Sequence, residues 1–410
     1  MKKTVLKKYA ELLIKCGVNI QKGQTLKILA DVEASDFVPL MVNAAYKAGA
    51  KKVTVEWSCR EVTKLHYRHQ SVKTLCEVQD WEIEKVKRDA EILPARIRLI
   101  CEDPDGLKSV NQEKLAKAGL AYSKAVKVYT DSMDNKYQWL VCAIPGKAWA
   151  KKVFPGVPAA KAKEMLWEAI LSTVMVSEDG DAVAAWEKKN NDFKARCDYL
   201  NSKKFDYLHY KSASGTDFTC HLMEKSKWCG GGENSLQGIY FNPNMPTEEI
   251  FTTPKKGACE GRLVSTMPLS VRGTLIENFY IDFKDGKAVS WHADKGEEAL
   301  GKIITTDEGS CMLGELALVP VDSPISASGL LYYNTLFDEN ASCHVALGSG
   351  YTGCVDGFES MTLDELHELG VNDSHIHVDF MVGSDDMTIT GYKDGVPTVI
   401  FENGKWAQSL

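Results

Sequence analysis

The stretch that decides the fold is Thr25–Trp57, TLKILADVEASDFVPLMVNAAYKAGAKKVTVEW. Its opening segment, Thr25–Ala30, is a short apolar run typical of a buried strand, and a helical pattern follows around Phe37–Ala48. Gly49 ends that helix, and Lys52–Trp57 predicts a second strand. A strand, a helix and another strand in this order form the βαβ unit of a parallel sheet. The stretch therefore predicts an α/β region with a mainly parallel sheet.

The same alternation continues through the first half of the chain and then stops. Further strands are predicted at Ile97–Cys101 and Trp139–Ala143, and helices at Gln112–Ala125, Ala159–Val174 and Asp181–Leu200. From about Phe205 the pattern changes to short β-rich segments with Gly, Asn and Asp between them. These segments are Tyr207–Lys211, Asp217–Leu222, Phe279–Phe283, Ala288–Ser290 and Met387–Tyr392. We therefore expect an α/β N-terminal domain over residues 1–204 and a β-rich α+β C-terminal domain over residues 205–410.

The composition excludes several classes of protein. Of the 410 residues, 44% are hydrophobic and 26% are charged, which is typical of a globular chain. The net charge of -7 offers no large cationic surface, so nucleic acid is not an expected partner. No apolar stretch approaches the ~20 residues that cross a bilayer, and charges interrupt the N-terminal MKKTVLKKYAELLIKCGV, which predicts an amphipathic helix. The 12 cysteines are scattered without a CxxC pair, so we expect a cytoplasmic protein with reduced thiols.

The first candidate for chemistry is the segment His375-Ile376-His377-Val378-Asp379. Alternate side chains of a strand share one face, so His377 could hold a cation together with either Asp379 or His375. The alternative is that these side chains face water or make hydrogen bonds. Only two of the 9 histidines precede residue 200, which places the expected chemistry in the second half of the chain.

Carboxylates and a further imidazole occur in three other segments of this half. Glu315 is a lone charge in the apolar GELALVP, and a buried carboxylate needs a partner, which a metal ion can supply. Glu339 and His344 lie five residues apart, whereas a pair such as Glu248 and Glu249 often starts a helix or faces water. The nearby GSGYTG matches a dinucleotide fingerprint but lacks the helix that should follow it.

Taken in order, NMPTEE, GELALVP, FDENASCHVALGSGY and IHVDFMVGS resemble the M29 metallopeptidases, the aminopeptidase T and aminopeptidase S group. The likeness covers essentially the whole chain, including GTDFT and WCGGGEN before the first of these segments. It implies a dimetal aminopeptidase that removes the N-terminal residue from peptides by means of a water bridged between the metals, in a C-terminal domain that carries the metal site. It also implies a homodimer.

The resemblance further implies which residues form the site. The metal ligands are Glu249, Glu315, Glu339, His344, His377 and Asp379, and the catalytic residues are Tyr351 and the bridging Glu315. Two departures leave alternatives open, because Glu248 and His375 could each compete as a ligand. The identity of the general base also stays open between Glu248, Glu315 or another carboxylate.

A ligand set of carboxylates and imidazoles suits two divalent ions, of Zn, Co, Mn or Mg. Two such ions can lower the pKa of a shared water and polarise a carbonyl, and one of them can bind a free α-amine. Peptides with a free N-terminus are therefore the expected substrates. Two other readings remain: a dimetal hydrolase of phosphoesters or non-peptide amides, and a ligand-binding protein that has lost catalysis.

Overall fold

The computed structural model describes residues 1–271 and 274–407. The chain divides into two compact units, one of Met1–Lys188 with Gly232–Pro246 and one of Lys189–Gly231 with the chain from Thr247 onward. The second piece of the first unit belongs there because Asn244–Met245 pairs in parallel with Trp139–Ala143. These units divide the chain at positions other than the domain boundary predicted between residues 204 and 205. That boundary stays a prediction.

The regular elements are numbered in chain order. The α-helices of the described chain are α1 (Lys3–Leu12), α2 (Val38–Lys47), α3 (Arg60–His69), α4 (Val72–Leu75), α5 (Asp80–Ile92), α6 (Gln112–Met133), α7 (Lys147–Val153), α8 (Ala159–Thr173), α9 (Ala182–Lys203), α10 (Glu297–Ile304), α11 (Pro324–Ala327), α12 (Thr335–Asp338) and α13 (Leu363–Leu369). A π-helical turn, Leu13–Gly17, extends α1. Short 3-10 helices lie at Val32–Ala34, Glu339–Ala341, Thr352–Cys354 and Phe358–Ser360.

The strands are shorter and concentrate after residue 205. They are β1 (Thr25–Asp31), β2 (Lys52–Ser58), β3 (Ala95–Ile100), β4 (Trp139–Ala143), β5 (Tyr207–Lys211), β6 (Asp217–Leu222), β7 (Cys229–Gly230), β8 (Glu233–Asn234), β9 (Tyr240–Phe241), β10 (Asn244–Met245), β11 (Ile250–Thr252), β12 (Pro254–Val264), β13 (Leu269–Val271), β14 (Thr274–Lys284), β15 (Lys287–Lys295), β16 (Leu313–Leu318), β17 (His344–Gly348), β18 (His377–Met381), β19 (Thr388–Lys393), β20 (Val396–Glu402) and β21 (Lys405–Trp406).

The first unit is built on a parallel sheet of five strands, in the order β10-β4-β3-β1-β2. The interior strand β1 pairs in register with β2 on one side, Ile28 opposite Val55, and with β3 on the other. β1 is buried or half-buried along its whole length, as expected for a strand with neighbours on both sides. The predicted parallel α/β region is therefore confirmed, and β10 is a strand that the apolar pattern did not predict.

Charge rather than apolar burial holds α5 to this sheet. The helix buries only Val86 and Asp89. The Asp89 carboxylate contacts the ammonium of Lys27 on β1 and lies 3.1 Å from the guanidinium of Arg96 on β3. Glu56 on β2 completes the network, 2.7 Å from Lys27 Nζ. The helix also has an apolar face, because Val86 belongs to a buried cluster with Val126 and Met133, against which Ala90 and Leu93 pack.

The second unit contains two antiparallel sheets. The larger runs β13-β14-β12-β6-β5-β19-β20-β21, with β15 also paired to β14. Burial alternates along β5 and β6, so one face of this sheet covers a core that includes Phe218, Phe279 and Phe401. The predicted β-rich region is thus confirmed. Within the described residues, no helix is both long and apolar enough to cross a membrane.

The smaller antiparallel sheet has five strands in the order β18-β17-β16-β11-β7. Its middle strands, β16 and β17, are buried at every position. A polar residue on either strand is therefore out of reach of bulk water and needs an internal partner.

Candidate metal centre

Three neighbouring strands of the smaller sheet present a row of carboxylates and imidazoles. Ala346 on β17 is directly opposite Glu315 on β16 and Asp379 on β18, so these three side chains share one face. His344 precedes Ala346 by two residues and His377 precedes Asp379 by two, which places both imidazoles on the same face. The small side chain of Ala346 leaves the space between the two carboxylates free.

Glu249 completes this cluster from the residue that precedes β11. Potential ligand atoms of Glu249, Glu315 and His344 all lie within 4.8 Å of one another, and so do those of Glu315, His377 and Asp379. Glu315 belongs to both triads, which is the position expected of a bridging carboxylate. The structure therefore brings together five of the six predicted ligands.

The sixth predicted ligand, Glu339, lies in the 3-10 helix Glu339–Ala341 and belongs to neither triad. Its carboxyl is nevertheless close to the cluster. Burial raises its pKa well above the usual value, and the carboxylates of Glu249 and Asp379 raise it further. Its role as a ligand stays a prediction.

Both imidazoles are oriented by backbone carbonyls. His377 Nδ1 lies 2.8 Å from the carbonyl oxygen of Ser349, and His344 Nδ1 lies 3.4 Å from that of Ser342. The Nε2 atoms face carboxylates instead, 3.0 Å from Glu315 Oε2 for His377 and 3.3 Å from Glu249 Oε2 for His344. An imidazole that binds a metal commonly donates its other N–H to a carbonyl in this way.

The cluster carries an excess of negative charge in a buried place. Burial raises the pKa of Glu315 to about 7 against the opposing hydrogen bond with His377. Burial disfavours the charged form of His377, but the carboxylates of Asp379 and Glu315 outweigh it and raise its pKa to about 11. A protonated imidazole thus supplies positive charge between two carboxylates, which is the place that a divalent cation would suit.

One oxygen of the cluster has no donor. Asp379 Oδ1 is buried and accepts no hydrogen bond from any described residue, although it lies 3.2 Å from His377 Nε2. A buried carboxylate oxygen that accepts no hydrogen bond costs free energy, which the nearby His377 or a bound cation offsets. This oxygen, the shared Glu315 and the two oriented imidazoles fit the divalent metal ions that such a donor set prefers.

Tyr351 borders the cluster, with 43% of its surface exposed. Its hydroxyl lies 3.2 Å from His377 Nε2, and its ring packs against the rings of His377 and Phe251, with centroids 4.9 Å and 5.4 Å away. The Tyr351 backbone is fixed by Thr253, whose Oγ1 accepts from Tyr351 N at 2.8 Å. The hydroxyl is therefore held beside the cluster.

Neither of the two residues that could have competed as ligands belongs to a triad. Glu248 Oε1 lies 2.5 Å from Lys189 Nζ, in a pair whose side chains are only 11% and 14% exposed. His375 precedes β18, which begins at His377, and its backbone N–H donates to Asp307 Oδ2 at 2.7 Å. The expectation that His375 shares a strand face with His377 was therefore wrong, because regular alternation begins only at the strand.

Glycines close to the site serve backbone packing. A Cβ at Gly314 would lie 2.2 Å from the carbonyl oxygen of Ser349, and one at Gly348 would lie 2.1 Å from that of Ile376. Gly348 also has a φ of +104°, a conformation that side chains rarely adopt. Both glycines therefore let neighbouring segments approach closely.

Sequence patterns did not reveal the residues that surround the cluster. Lys189 is one of several charged residues in helix α9. Asn340 lies between Glu339 and His344, the two residues for which its segment was singled out. Only the contacts between distant segments, Lys189 with Glu248 and Asn340 with the Glu248 backbone, bring out their positions.

Comparison with known proteins agrees with this geometry. The family described as "Thermophilic metalloprotease (M29)" matches residues 2–406. The chain is 43% identical to aminopeptidase AmpS of Bacillus subtilis (strain 168), over 98% of both chains. It is 41% identical to aminopeptidase 2 of Geobacillus stearothermophilus, over 99% of this chain and 98% of the relative.

A solved structure is similar over the same length. The wild-type AmpT structure from Thermus thermophilus superposes with a TM-score of 0.90 at 37% identity, covering 98% of this chain and 99% of that one. Nearly complete coverage means that both compact units, and not the metal cluster alone, have counterparts in that structure. The chain therefore belongs to the M29 family of metallopeptidases.

Proposed function

We propose that this protein, a metallo-aminopeptidase of the M29 family, hydrolyses the N-terminal peptide bond with two divalent ions. The observation that carries the proposal is the pair of triads that share Glu315. Glu249 and His344 would hold one ion with Glu315, and His377 and Asp379 would hold the other with the same carboxylate. Glu339 stands beside both and is proposed as the sixth ligand.

When bound, two divalent ions would polarise the scissile carbonyl and make water a stronger nucleophile at neutral pH. The protein's own residues do the rest. Tyr351 would donate a hydrogen bond from its hydroxyl to the oxygen of the attacked carbonyl as negative charge develops there. Ser349 would keep His377 in one tautomer by accepting from its Nδ1, so that Nε2 remains available as a ligand atom.

The proposed substrate is a peptide with a free N-terminus. Its free α-amine would bind one of the two ions through the nitrogen lone pair, and the carboxylates of Glu249, Glu315, Glu339 and Asp379 would offset the charge of the ions. The known relatives are named aminopeptidases, which agrees with this choice. Phosphoesters and non-peptide amides are the alternative substrates, and assays with aminoacyl anilides and phosphate esters compare the two classes.

The state of the protein in the cell is also part of the proposal. We expect Zn, Co, Mn or Mg as the bound ions, because the donors are oxygen and imidazole nitrogen without thiolate. We expect a cytoplasmic homodimer, as the family resemblance implies. Metal analysis of the purified protein identifies the ions, and light scattering during gel filtration measures the oligomeric state.

The decisive experiment is Glu315→Gln. Gln has the shape of Glu without the charge, so both triads lose their shared anionic ligand, and hydrolysis of an aminoacyl anilide should fall to background with a loss of bound metal. The exposed Glu298, which pairs only with Lys302 at the surface, provides the matched control Glu298→Gln, with unchanged activity. Near wild-type turnover and full metal content in Glu315→Gln would contradict the dimetal assignment, and preferential hydrolysis of a phosphate ester would favour the alternative substrate class.

A further inference from the structure

The segment that carries Glu339 is held in place by hydrogen bonds within the second unit. The Asp338 carboxylate accepts hydrogen bonds from the backbone N–H groups of Tyr332 and Asn334, at 2.7 Å and 2.9 Å. The backbone oxygen of Asn340 accepts from Ser323 Oγ at 2.9 Å. The backbone around Glu339 is therefore fixed by several groups that do not belong to the metal cluster.

The Asn340 side chain connects this segment to the segment that carries Glu249. Its side chain is completely buried. Oδ1 accepts from the backbone N–H of Glu248 at 2.6 Å, and Nδ2 donates to the carbonyl oxygen of Leu336 at 3.1 Å. One planar amide thus joins two segments that lie 92 residues apart in the sequence.

This contact requires a hydrogen-bond acceptor that faces the backbone N–H of Glu248. Without one, the backbone N–H of Glu248 would lose its hydrogen bond beside the proposed ligand Glu249. The Glu248 side chain is fixed separately by its ion pair with Lys189 at 2.5 Å. Glu248 is therefore held at its backbone by Asn340 and at its carboxylate by Lys189, which restricts the position of the adjacent Glu249.

We infer that Asn340 is a positioning residue of the metal centre, which sets the place of Glu249 relative to Glu339 through its hydrogen bond to Glu248 N–H. The inference rests on the proposed function, since it presumes that Glu249 binds an ion. Asn340 does not touch the substrate or the reacting atoms in this role. It acts through the backbone of the residue before a ligand.

The test compares Asn340→Ala with Asn340→Asp in the full-length chain loaded with Co²⁺. Both variants lose the donor to Leu336, but Asp keeps an acceptor for Glu248 N–H. Competition with a chromophoric chelator measures Co²⁺ affinity. We expect Asn340→Ala to lower it by about 10- to 100-fold, the usual cost of removing a group that orients a ligand, and Asn340→Asp to stay within a few-fold of wild type.

The matched control is Asn201→Ala. Asn201 makes the same kind of two-bond contact elsewhere in the second unit, donating to Trp228 O at 3.1 Å and accepting from Trp228 N at 2.8 Å. We expect this variant to lose thermal stability but to keep wild-type Co²⁺ affinity. A general loss of packing would therefore be distinguished from a loss of ligand position.

Two outcomes overturn the inference. The first is wild-type Co²⁺ affinity in a folded Asn340→Ala variant. The second, which applies even if Asn340→Ala does not fold, is a loss of tenfold or more in Asn340→Asp, because the bond to Glu248 N–H would then not be the feature that matters. A wild-type chain that binds no divalent ion would instead contradict the proposed function, so the two failures are distinguishable.

Discussion

Tyr351 is the residue whose hydroxyl contacts the edge of the buried cluster, 3.2 Å from His377 Nε2. We expect Tyr351→Phe to lower turnover about 100- to 1,000-fold, because the loss of one preorganised oxyanion donor has that effect. The ring and its contact with Phe251 remain, so melting temperature and metal content should stay nearly constant. Steady-state kinetics with an aminoacyl anilide, together with metal analysis, checks this. Unchanged turnover would make Tyr351 a packing residue, and joint loss of metal and turnover would make it a residue that orients His377.

His375 and His377 differ in their surroundings although they lie two residues apart. His377 takes part in a triad with Glu315 and Asp379, whereas the segment at His375 is fixed through its backbone by Asp307. We therefore expect His377→Ala to remove bound metal and activity, and His375→Ala to reduce activity much less. Bound metal and kcat/KM of the two variants measure the difference. A larger loss of metal and activity in His375→Ala would mean that His375, and not His377, is the ligand.

At the scale of elements, the site depends on how closely β17 approaches the start of β18. Gly348 pairs with His377 across the two strands, and a Cβ there would lie 2.1 Å from the Ile376 carbonyl oxygen. We expect Gly348→Ala to destabilise the fold by roughly 2 kcal/mol or more, since its positive φ and the clash both oppose a side chain. Bound metal should fall as well, because His377 is displaced.

The control for that substitution is Gly353→Ala on the same loop region. No atom lies within 4 Å of a Cβ at Gly353, and its φ is ordinary. Its melting temperature and metal content should match those of the wild type. Equal losses in both glycine variants would show that the close approach at Gly348 does not determine the geometry of the site.

Helix α5 offers a separate test of how a polar face holds an element in place. Asp89 is buried between Lys27 and Arg96, so Asp89→Ala leaves two cations without their shared partner and should lower the free energy of unfolding by about 3 kcal/mol. Arg88 on the same helix pairs with Glu91 at the surface, and Arg88→Ala should change stability by less than about 0.5 kcal/mol. Urea unfolding compares the two, and similar effects would mean that the network contributes no more than a surface pair.

At the scale of the whole molecule, bound metal should stabilise the folded chain as well as activate it. The buried carboxylates of Glu249 and Glu315 are only 8% and 3% exposed, and an ion that binds them only in the folded state shifts the unfolding equilibrium. At a free ion concentration 100 times Kd the stabilisation is about 2.7 kcal/mol. We therefore expect a chelator to lower the melting temperature and abolish activity together, with both restored by added ions. Calorimetry that shows an unchanged melting temperature would contradict selective binding to the folded chain.

Local sequence patterns were sufficient for four of the five strands of the parallel sheet and for the helices α2, α6, α8 and α9. The strand predicted at Trp139–Ala143 has those bounds in the structure, and the helix predicted at Phe37–Ala48 is Val38–Lys47. Such elements follow from the period of apolar residues, which depends only on near neighbours. Helix α5 was missed although Ile83, Val86 and Ala90 recur at helical spacing and Val86 packs in an apolar cluster. Strand β10 was missed because it is two residues long and pairs with a strand far away in the sequence.

The sequence by itself determined the parallel α/β region, the β-rich second half, and a set of carboxylates and imidazoles in ordered motifs. Tertiary structure decided which of these side chains lie close to one another. Glu315 and Asp379 face each other across Ala346 only because three strands pair in one register. Glu248 turns to Lys189, and Asn340 reaches the backbone beside Glu249, through contacts between distant segments. No local period encodes such contacts, because the distance between two side chains depends on the packing of whole strands and helices rather than on their spacing along the chain.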